Sequence, residues 1–427
     1  MKYISLNTEI PNKRDVADYK LFEKFEARSM HGQLPIVWSR AKDFTVEDRY
    51  GNKFIDFTSG ICVANLGHGN DRLLRGIEYC LEKPLLHSYT FPTEVRFAFL
   101  RELVETCYPE GKAFLVSAGT EATEVACKLM RMYGLSKQID NYNEYSLKRN
   151  VIVSFRGAMH GRTLLTEQLK GTNYNNEWSD TTPDPRIFCL DFPKNNEHFD
   201  IDPVLEICKE EICGFIIESY QGWSASFYPK HYIKELVEWA KQNDILVCFD
   251  EIQSGFGRTG KMFAFEHYGL TYKDVDLICC GKGISGSLPL SAVIGRKDIL
   301  DLPEVGSMSS THSANPLSCA VGLTTLLEFA ENKIIKQAEE KGKLIQKEMY
   351  TWKFDENKIE KIQGVGMVWA IITKTEEEAS RIVWECFKKG LLLIWTHKNS
   401  VKIGPPITIK EEALIEGLNV IKEVLND

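Results

Sequence analysis

Lys282 is the residue whose surroundings most clearly suggest chemistry. It lies in CCGKGISGSLPL, residues 279–290, directly after the apolar run at 277–280. A lysine in a glycine-rich loop is usually only solvated, but a lysine at the mouth of a sheet can be a nucleophile whose amine forms a Schiff base with a carbonyl group. The glycines of the same stretch also form a G-x-G-x-x-G pattern, which suggests a dinucleotide site instead.

Neither nucleotide-binding pattern has the context that it needs. A Walker A motif requires glycine at position 276 and serine or threonine at position 283, where the chain has Asp276 and Gly283. A Rossmann fingerprint requires its glycines to open a helix, but Gly286 is followed by a short loop and a predicted strand. A second match, SGFGRTG at 254–260, also leads into no clear helix. A nicotinamide-dependent oxidoreductase therefore remains only as an alternative.

Four more groups of polar residues follow apolar runs in the same way. Glu218 ends IIE, Asp250 ends ILVCFD, SAGT at 117–120 follows FLV, and RGAMHGR at 156–162 follows VIVSF. Any one carboxylate at a strand end is usually a turn former or a helix cap. Ligands of open parallel sheets, however, bind outside the carboxyl ends of the strands. Five polar groups at one edge therefore predict a ligand site.

An alternation of short apolar runs and helical patterns positions these residues. Each run has the length of a buried strand. Apolar residues recur at helical spacing over 122–133 and 233–240, and Gly134 is predicted to end the first helix. This alternation predicts an α/β fold with a largely parallel sheet. The seven predicted strands contain residues 114–116, 151–153, 187–190, 215–217, 245–249, 277–280 and 292–294.

The C-terminal part of the chain has a different pattern. Thr375 and Glu378 form a capping-box signature, an apolar helical face follows, and Gly390 is predicted to end this helix. A connecting helix is predicted to begin near residues 315–316, an asparagine followed by a proline. These features predict a smaller α+β domain. Its strand-like segments are 367–372, 391–395 and 401–403.

Composition limits the classes of function. The chain has 427 residues, enough for two or three domains. Its net charge of -8 argues against nucleic acid and anionic membranes as partners. The N-terminus has no apolar signal-peptide region. The 12 cysteines are scattered without C-x-x-C pairs or zinc-like spacing. We therefore expect reduced thiols, a cytoplasmic location and no metal site.

The residues at the predicted sheet edge meet the requirements of one cofactor. Pyridoxal phosphate binds a lysine amine through its aldehyde, and Lys282 is available. Its pyridinium nitrogen needs an anionic partner, which Asp250 can provide. Its phosphate fits the N-terminus of a helix, and the predicted helix opens at Gly119-Thr120. Gln253, one turn past Asp250, can donate a hydrogen bond to the 3-oxygen of the ring.

Five ordered motifs resemble the class III pyridoxal-phosphate aminotransferases of fold type I. They are SAGTEA, MHGRT, FDEIQSGFGRTG, GKGISGSLPLSAV and THSANPLSCA. The resemblance runs from about Ile55 to Leu327, and more loosely through GPP at 404–406. It implies a large domain with a mostly parallel seven-stranded sheet and a smaller α+β domain. The implied division is an N-terminal segment at 1–60 that packs with the small domain, a large cofactor-binding domain at 61–315 and the small domain at 316–427.

Carried over to the matching positions, the resemblance implies how the cofactor is held. Lys282 would form the Schiff base and carry the proton, and Asp250 would pair with the ring nitrogen. Gln253 would contact the ring oxygen. Gly119 and Thr120 would hold the phosphate.

The resemblance also implies a homodimer with shared active sites. Thr311, in THSANP, would reach the phosphate of the neighbouring subunit. Glu218 would buttress the site beside the ring. Met159 stands where relatives usually have an aromatic residue stacked on the cofactor, and its thioether can still contact a π face.

Three positions depart from the family pattern or bear on the substrate. Arg162 is retained and in several relatives binds a substrate carboxylate. Lys402 stands where relatives have a carboxylate-binding arginine before the G/A-P-P motif, and Trp223 replaces the glutamate that can mask this arginine. Trp223 could narrow the pocket, offer a flat surface to a ring-bearing substrate such as a sugar, or only fill space. Because the residues around Lys402 alternate like a strand, a shift of one residue would turn it away from the site.

Three functions follow from these observations. The first is an aminotransferase that moves an amino group from a small-molecule donor, with glutamate as one candidate, to an aldehyde or ketone acceptor. The second keeps the cofactor but performs racemisation or intramolecular amino transfer. The third, from a different class, is the nicotinamide-dependent oxidoreductase.

Overall fold

Strands and helices alternate along most of the chain. The computed structural model describes residues 2–137, 149–171, 184–194, 196–199, 206 and 209–426. The strands are β1 (Trp38–Lys42), β2 (Thr45–Asp48), β3 (Lys53–Asp56), β4 (Lys112–Val116), β5 (Val151–Phe155), β6 (Ile187–Leu190), β7 (Ile212–Glu218), β8 (Leu246–Asp250), β9 (Leu277–Cys280), β10 (Ser291–Gly295), β11 (Ile359–Val365), β12 (Val368–Thr373), β13 (Leu391–Leu392), β14 (Ile394–Trp395) and β15 (Ser400–Ile403).

The helices cover the sheets and connect them. They are α1 (Lys13–Phe22), α2 (Asp71–Glu82), α3 (Glu94–Cys107), α4 (Gly119–Ser136), α5 (Leu164–Gln168), α6 (Lys230–Gln242), α7 (Lys297–Leu300), α8 (Pro316–Glu331), α9 (Ile334–Met349), α10 (Glu376–Lys388) and α11 (Glu411–Asn426). Short single-turn segments are Arg28–Met30, Ser59–Cys62, Lys209–Glu211, Ala264–Tyr268, Tyr272–Asp274 and Lys282–Ile284. Within the described ranges, no helix has the length and apolar character needed to cross a bilayer.

The central sheet has seven strands in the order β4-β10-β9-β8-β7-β5-β6. β10 runs antiparallel to both of its neighbours. The pairs from β9 through β8, β7 and β5 to β6 are parallel. Each of the seven apolar runs found in the sequence is one of these strands, so the predicted α/β fold with a mostly parallel seven-stranded sheet is confirmed.

Burial on both faces explains why these strands appear in the sequence as continuous apolar runs. Every residue of β7, β8 and β9 is buried. At the end of β7 the side chains alternate between two apolar clusters, with Phe215 and Ile217 in one and Ile216 in the other. Helices therefore cover the sheet on both sides.

Two smaller sheets complete the fold, in the orders β1-β2-β3-β13 and β11-β12-β15-β14. The parallel pairing of β13 with β3 joins the beginning of the chain to its last third. Glu416 of α11 also accepts hydrogen bonds from the backbone N–H groups of Lys2, Tyr3 and Ile4. The division of the chain at residues 60 and 315 stays a prediction.

Two sequence predictions about these elements were wrong or incomplete. Gly134 does not end its helix, because α4 continues to Ser136. A β-carbon at Gly134 would lie 2.1 Å from the carbonyl oxygen of Arg149, so glycine is required there for close backbone packing. Strand β11 was not predicted, since the residues after Ile359 are largely polar and only partly buried.

Arg258 connects the central sheet region to the C-terminal part of the fold. Its side chain is fully buried. Nη1 donates to the carbonyl oxygens of Met367 at 3.0 Å and Pro405 at 2.6 Å, and Nη2 donates to Oδ1 of Asn65. Because hydrogen bonds of a buried guanidinium are costly to break, these contacts fix β12 and the 404–406 segment against the loop after β8.

Candidate active site

Three parallel strands bring the predicted reactive residues to one edge of the central sheet. Glu218 and Asp250 are the last residues of β7 and β8, and they are register partners. Asp250 is in turn the partner of Cys279 on β9, and Lys282 follows two residues after this strand. The structure therefore places Glu218, Asp250 and Lys282 on adjacent strand ends, which is where an open parallel sheet binds its ligand.

Asp250 is a buried carboxylate with two described hydrogen-bond donors. Its Oδ2 lies 2.8 Å from Nδ1 of His160, and its Oδ1 accepts a bond of 3.1 Å from the backbone N–H of Ile252. The His160 side chain is fully buried. Its Nε2 has no partner among the described residues, so the ring proton belongs on Nδ1, where it is donated to Asp250.

Glu218 is held beside Asp250 by backbone donors. Its Oε2 accepts from the N–H of Met159, and its Oε1 accepts from the N–H of Gly222, both at 3.0 Å. Burial and, to a smaller extent, the charge of the neighbouring Asp250 raise the pKa of Glu218 to about 7, against the opposing effects of His160 and of the two backbone donors. A β-carbon at Gly222 would lie 2.8 Å from Oε1 of Glu218, so only glycine fits at that turn.

Lys282 has an unusual backbone conformation. It begins the single-turn segment Lys282–Ile284 with φ of +46°, in the left-handed region that favours glycine. The carbonyl oxygen of Lys282 accepts from the N–H groups of Ser285 and Gly286. A lysine held in this region costs on the order of 1–2 kcal/mol relative to the right-handed conformation, and strained residues of this kind concentrate at functional sites.

Residues 117–120 at the N-terminus of α4 form a candidate anion-binding cradle. The backbone N–H groups of Ser117 and Ala118 donate to Glu121 at 2.8 and 3.0 Å. In contrast, the N–H groups of Gly119 and Thr120 have no hydrogen-bond partner within the described chain. Free N–H groups at the positive end of a helix suit a phosphate group.

Ile252 connects this cradle to the lysine loop. A β-carbon at Gly119 would lie 3.0 Å from Cγ2 of Ile252, and a β-carbon at Gly281 would lie at the same distance from that atom. The cradle, the lysine loop and the Asp250 strand end therefore converge around one side chain. A carboxylate, an amine, a carboxamide and a helix N-terminus in this arrangement match the groups that pyridoxal phosphate requires, so the residues present fit this cofactor.

Lys402 points into the site. It is 2% exposed, and its Nζ donates to Oε1 of Gln253, which also accepts a bond of 3.3 Å from the hydroxyl of Tyr220. Burial lowers the pKa of Lys402 to about 8. The charge of Lys282 contributes to this lowering, and the charge of Glu218 opposes it. The ammonium group of Lys402 therefore lies near these candidate residues.

Trp223 and Arg162 are less buried than Lys402. The indole Nε1 of Trp223 donates to Gln221 at 3.2 Å, and Nζ of Lys398 lies 4.6 Å from the centre of its ring. Arg162 is exposed. Burial and the nearby cations Lys170 and Arg162 lower the pKa of Lys398, and the charge of Glu218 offsets only part of this lowering. The sequence did not identify Lys398.

Met159 and Thr311 have less contact with the other candidates. Met159 contributes its backbone N–H to Glu218, but its side chain is 44% exposed. Thr311 is exposed, and its side chain makes no described hydrogen bond to another candidate residue of the same chain. Within one chain, the structure therefore does not bring Thr311 into the site.

Comparison with known proteins identifies the family. The sequence model of the family described as Aminotransferase class-III matches residues 27–425. The chain belongs to the class III aminotransferases. Members of this family use pyridoxal phosphate, so the protein is a pyridoxal-phosphate-dependent aminotransferase. The predicted family, reaction class and cofactor are confirmed, and neither the racemase nor the oxidoreductase alternative is favoured.

Individual relatives match over nearly their whole length. An acetylornithine aminotransferase from Caldanaerobacter subterraneus subsp. tengcongensis is 29% identical over 95% of this chain and 98% of its own. A 4-aminobutyrate aminotransferase from Mycobacterium leprae is 27% identical over 99% of this chain and 98% of its own. The crystal structure of an ornithine aminotransferase from Toxoplasma gondii ME49 superimposes with a TM-score of 0.83 at 25% identity, covering 98% of this aminotransferase and 96% of that chain.

Glu218 should give the aminotransferase a specific pH dependence. Its pKa is about 7 in the folded protein against 4.5 ordinarily. Its contribution to stability is therefore fully present below about pH 4.5 and is lost as the pH rises through about 7. The free energy of unfolding of the wild-type apoprotein minus that of Glu218→Gln should fall between pH 5 and 8, by up to about 1.4 kcal/mol per unit of pKa shift.

Urea unfolding of the two apoproteins at several pH values measures this difference. Titrating groups that do not interact with Glu218, such as the buried Glu251, are common to both proteins and cancel. A difference that stays flat or rises with pH would contradict the assignment.

Proposed function

We propose that this aminotransferase takes the amino group of an acidic donor such as glutamate and gives it to an aldehyde or ketone acceptor. The observation that carries the donor assignment is the set of cations around Glu218. The charge of Glu218 acts on both Lys398 and Lys402, and the charge of Arg162 acts on Lys398. Such a pocket attracts a carboxylate.

The reaction balances without an external oxidant or reductant. The donor loses its α-proton and its C–N bond, takes an oxygen from water and becomes a keto acid. The acceptor carbonyl carbon gains a C–N bond and a proton and loses its oxygen as water. When bound, pyridoxal phosphate accepts the electrons left at Cα and carries the amino group between the two halves of the reaction.

We assign the proton chemistry to Lys282 and Asp250. The amine of Lys282, attached to a loop with few other conformations, takes the proton from Cα of the donor and returns one in the second half-reaction. The carboxylate of Asp250 holds a proton at the ring nitrogen, and the hydrogen bond from His160 fixes the carboxylate plane for this contact. Lys282 and Asp250 are thus the proposed catalytic residues.

The remaining candidates hold the cofactor. We assign the phosphate to the free N–H groups of Gly119 and Thr120, and the 3-oxygen of the ring to Gln253. Glu218 supports the site beside the ring. We assign Met159, whose backbone N–H donates to Glu218, to the face of the ring, which its thioether would contact.

For the substrate we assign Arg162 as the main carboxylate contact and Lys402 as a weaker one. Arginine binds a carboxylate through a planar fork, whereas lysine provides a point charge. Trp223, with Lys398 over its face, forms a flat wall at the entrance that limits the shape of the acceptor.

We also propose a homodimer with shared sites. Large apolar side chains are exposed around α2 and α3, including Leu81, Phe91 and Phe97. This surface continues to the Thr311 segment, because Tyr89 contacts Ser309 through their hydroxyl groups at 3.3 Å. A partner packed there would place its own Thr311 at the cradle of the first chain.

The described cysteines form no disulfide, as suits a reducing cytoplasm.

The donor assignment predicts unequal effects at two cations. Arg162→Ala should raise the KM for glutamate tenfold or more, while Lys402→Ala, with cofactor saturating, should raise it less. Single-turnover kinetics of the donor half-reaction measure both, and Arg14→Ala, an exposed arginine far from the site, is the control. A larger rise for Lys402→Ala than for Arg162→Ala would show that this assignment of the carboxylate contacts is wrong.

Subunit mixing tests the shared sites. Lys282→Ala and Thr311→Ala proteins, mixed under conditions that exchange subunits, should form heterodimers with one doubly altered site and one intact site. Activity should rise above that of either protein alone, toward roughly a quarter of wild type in an equal random mixture. An active monomer at assay concentration, or no recovery once exchange is demonstrated, would exclude sharing.

A further inference from the structure

The two described hydrogen bonds to the Gln253 side chain are both accepted by the same atom. Oε1 accepts from Nζ of Lys402 and from the hydroxyl of Tyr220 at 3.3 Å. A carboxamide oxygen can accept two hydrogen bonds, and its nitrogen can only donate. The two contacts therefore determine which way the amide faces.

The orientation leaves the amide nitrogen available for a ligand. Nε2 of Gln253 makes no hydrogen bond among the described residues, and the side chain is only half-buried. Gly222 lies beside it, where a β-carbon would come within 3.2 Å of Nε2 and 3.3 Å of Oε1. The backbone of Gly222 thus confines the carboxamide on one side, and Tyr220 and Lys402 confine it on another.

Both donors are themselves buried and come from separate parts of the chain. Tyr220 is 1% exposed and follows β7, while Lys402 is 2% exposed and lies on β15. Lys402 is fixed by the pairing of its strand with β12. Because both side chains are almost completely buried, few other positions are open to the ammonium group and the hydroxyl, and both groups keep Oε1 of Gln253 as their acceptor.

We propose that Lys402 and Tyr220 are positioning residues that lock the Gln253 carboxamide with its NH2 group toward the 3-oxygen of pyridoxal phosphate. This inference rests on the proposed cofactor role of Gln253. It gives Lys402 a function in the absence of substrate, in addition to any contact with a donor carboxylate. It also accounts for a tyrosine hydroxyl buried at the sheet edge.

The test measures cofactor binding without substrate. Apoprotein is titrated with pyridoxal phosphate, and the visible absorption band of the bound cofactor is followed from pH 6 to 10. Tyr220→Phe and Lys402→Met should each weaken cofactor binding, by about threefold for the tyrosine and tenfold or more for the lysine, and should shift the pH at which the band changes. Tyr228→Phe is the matched control, because its buried hydroxyl has no partner among the described residues.

A double-mutant cycle separates positioning from general stabilisation. In a Gln253→Ala background, Tyr220→Phe and Lys402→Met should have little further effect on cofactor affinity. Gln253→Glu keeps an acceptor for both donors but replaces the NH2 group by a second oxygen, so it should bind the cofactor no better than Gln253→Ala.

Three results would overturn the proposal. They are wild-type affinity and spectrum in both single variants, additive losses in the Gln253→Ala background, or a Gln253→Glu protein that binds the cofactor like wild type. If Lys402→Met fails to fold, the Tyr220→Phe arm of the cycle decides alone. A failed donor assignment would change the glutamate kinetics and leave these substrate-free measurements intact.

Discussion

A buried negative charge at the end of β8 is the constraint around which the site is organised. Asp250 is 4% exposed, and an uncompensated carboxylate in that position would be strongly destabilising. His160 and the N–H of Ile252 compensate it. The parallel register then places Glu218 directly beside it, and burial together with that neighbour raises the pKa of Glu218 to about 7. Two adjacent carboxyl groups thus have different hydrogen-bond donors, His160 and Ile252 for Asp250, and Met159 and Gly222 for Glu218.

The site also depends on contacts between the central sheet and the C-terminal part of the chain. Lys402 reaches Gln253 from β15, and Arg258 holds the segment that follows β15 through the carbonyl of Pro405. Neither contact exists unless the two parts pack together. The geometry of the proposed cofactor-binding groups is therefore a property of the assembled fold and not of the loops alone.

The sequence predicted the central sheet well because strands buried on both faces leave an unambiguous apolar pattern. It also placed Lys282 and Asp250 correctly at the strand ends, since parallel strands align those ends. The prediction from sequence was wrong where a residue is required by a contact with another part of the chain. Gly134 is such a residue, because its small size lets the backbone of Arg149 approach the helix. The direction of Lys402 and its pairing with Gln253, 149 positions away, depend on tertiary packing that no local pattern reports. His160 lies within the MHGRT motif, but only its contact with Asp250 in the folded structure shows that it is a hydrogen-bond partner of that carboxylate.

The charge of Asp250 is the central element of this account, and Asp250→Asn tests it most directly, because asparagine keeps the shape and removes the charge. The measurement is the single-turnover rate of α-proton removal from glutamate, expressed per correctly folded molecule with bound cofactor. We predict that the variant folds and that this rate falls by orders of magnitude, since the ring nitrogen loses the anion that keeps it protonated. An unchanged rate per folded molecule, with a large loss of stability, would show that Asp250 is only a structural strand end and would contradict the account.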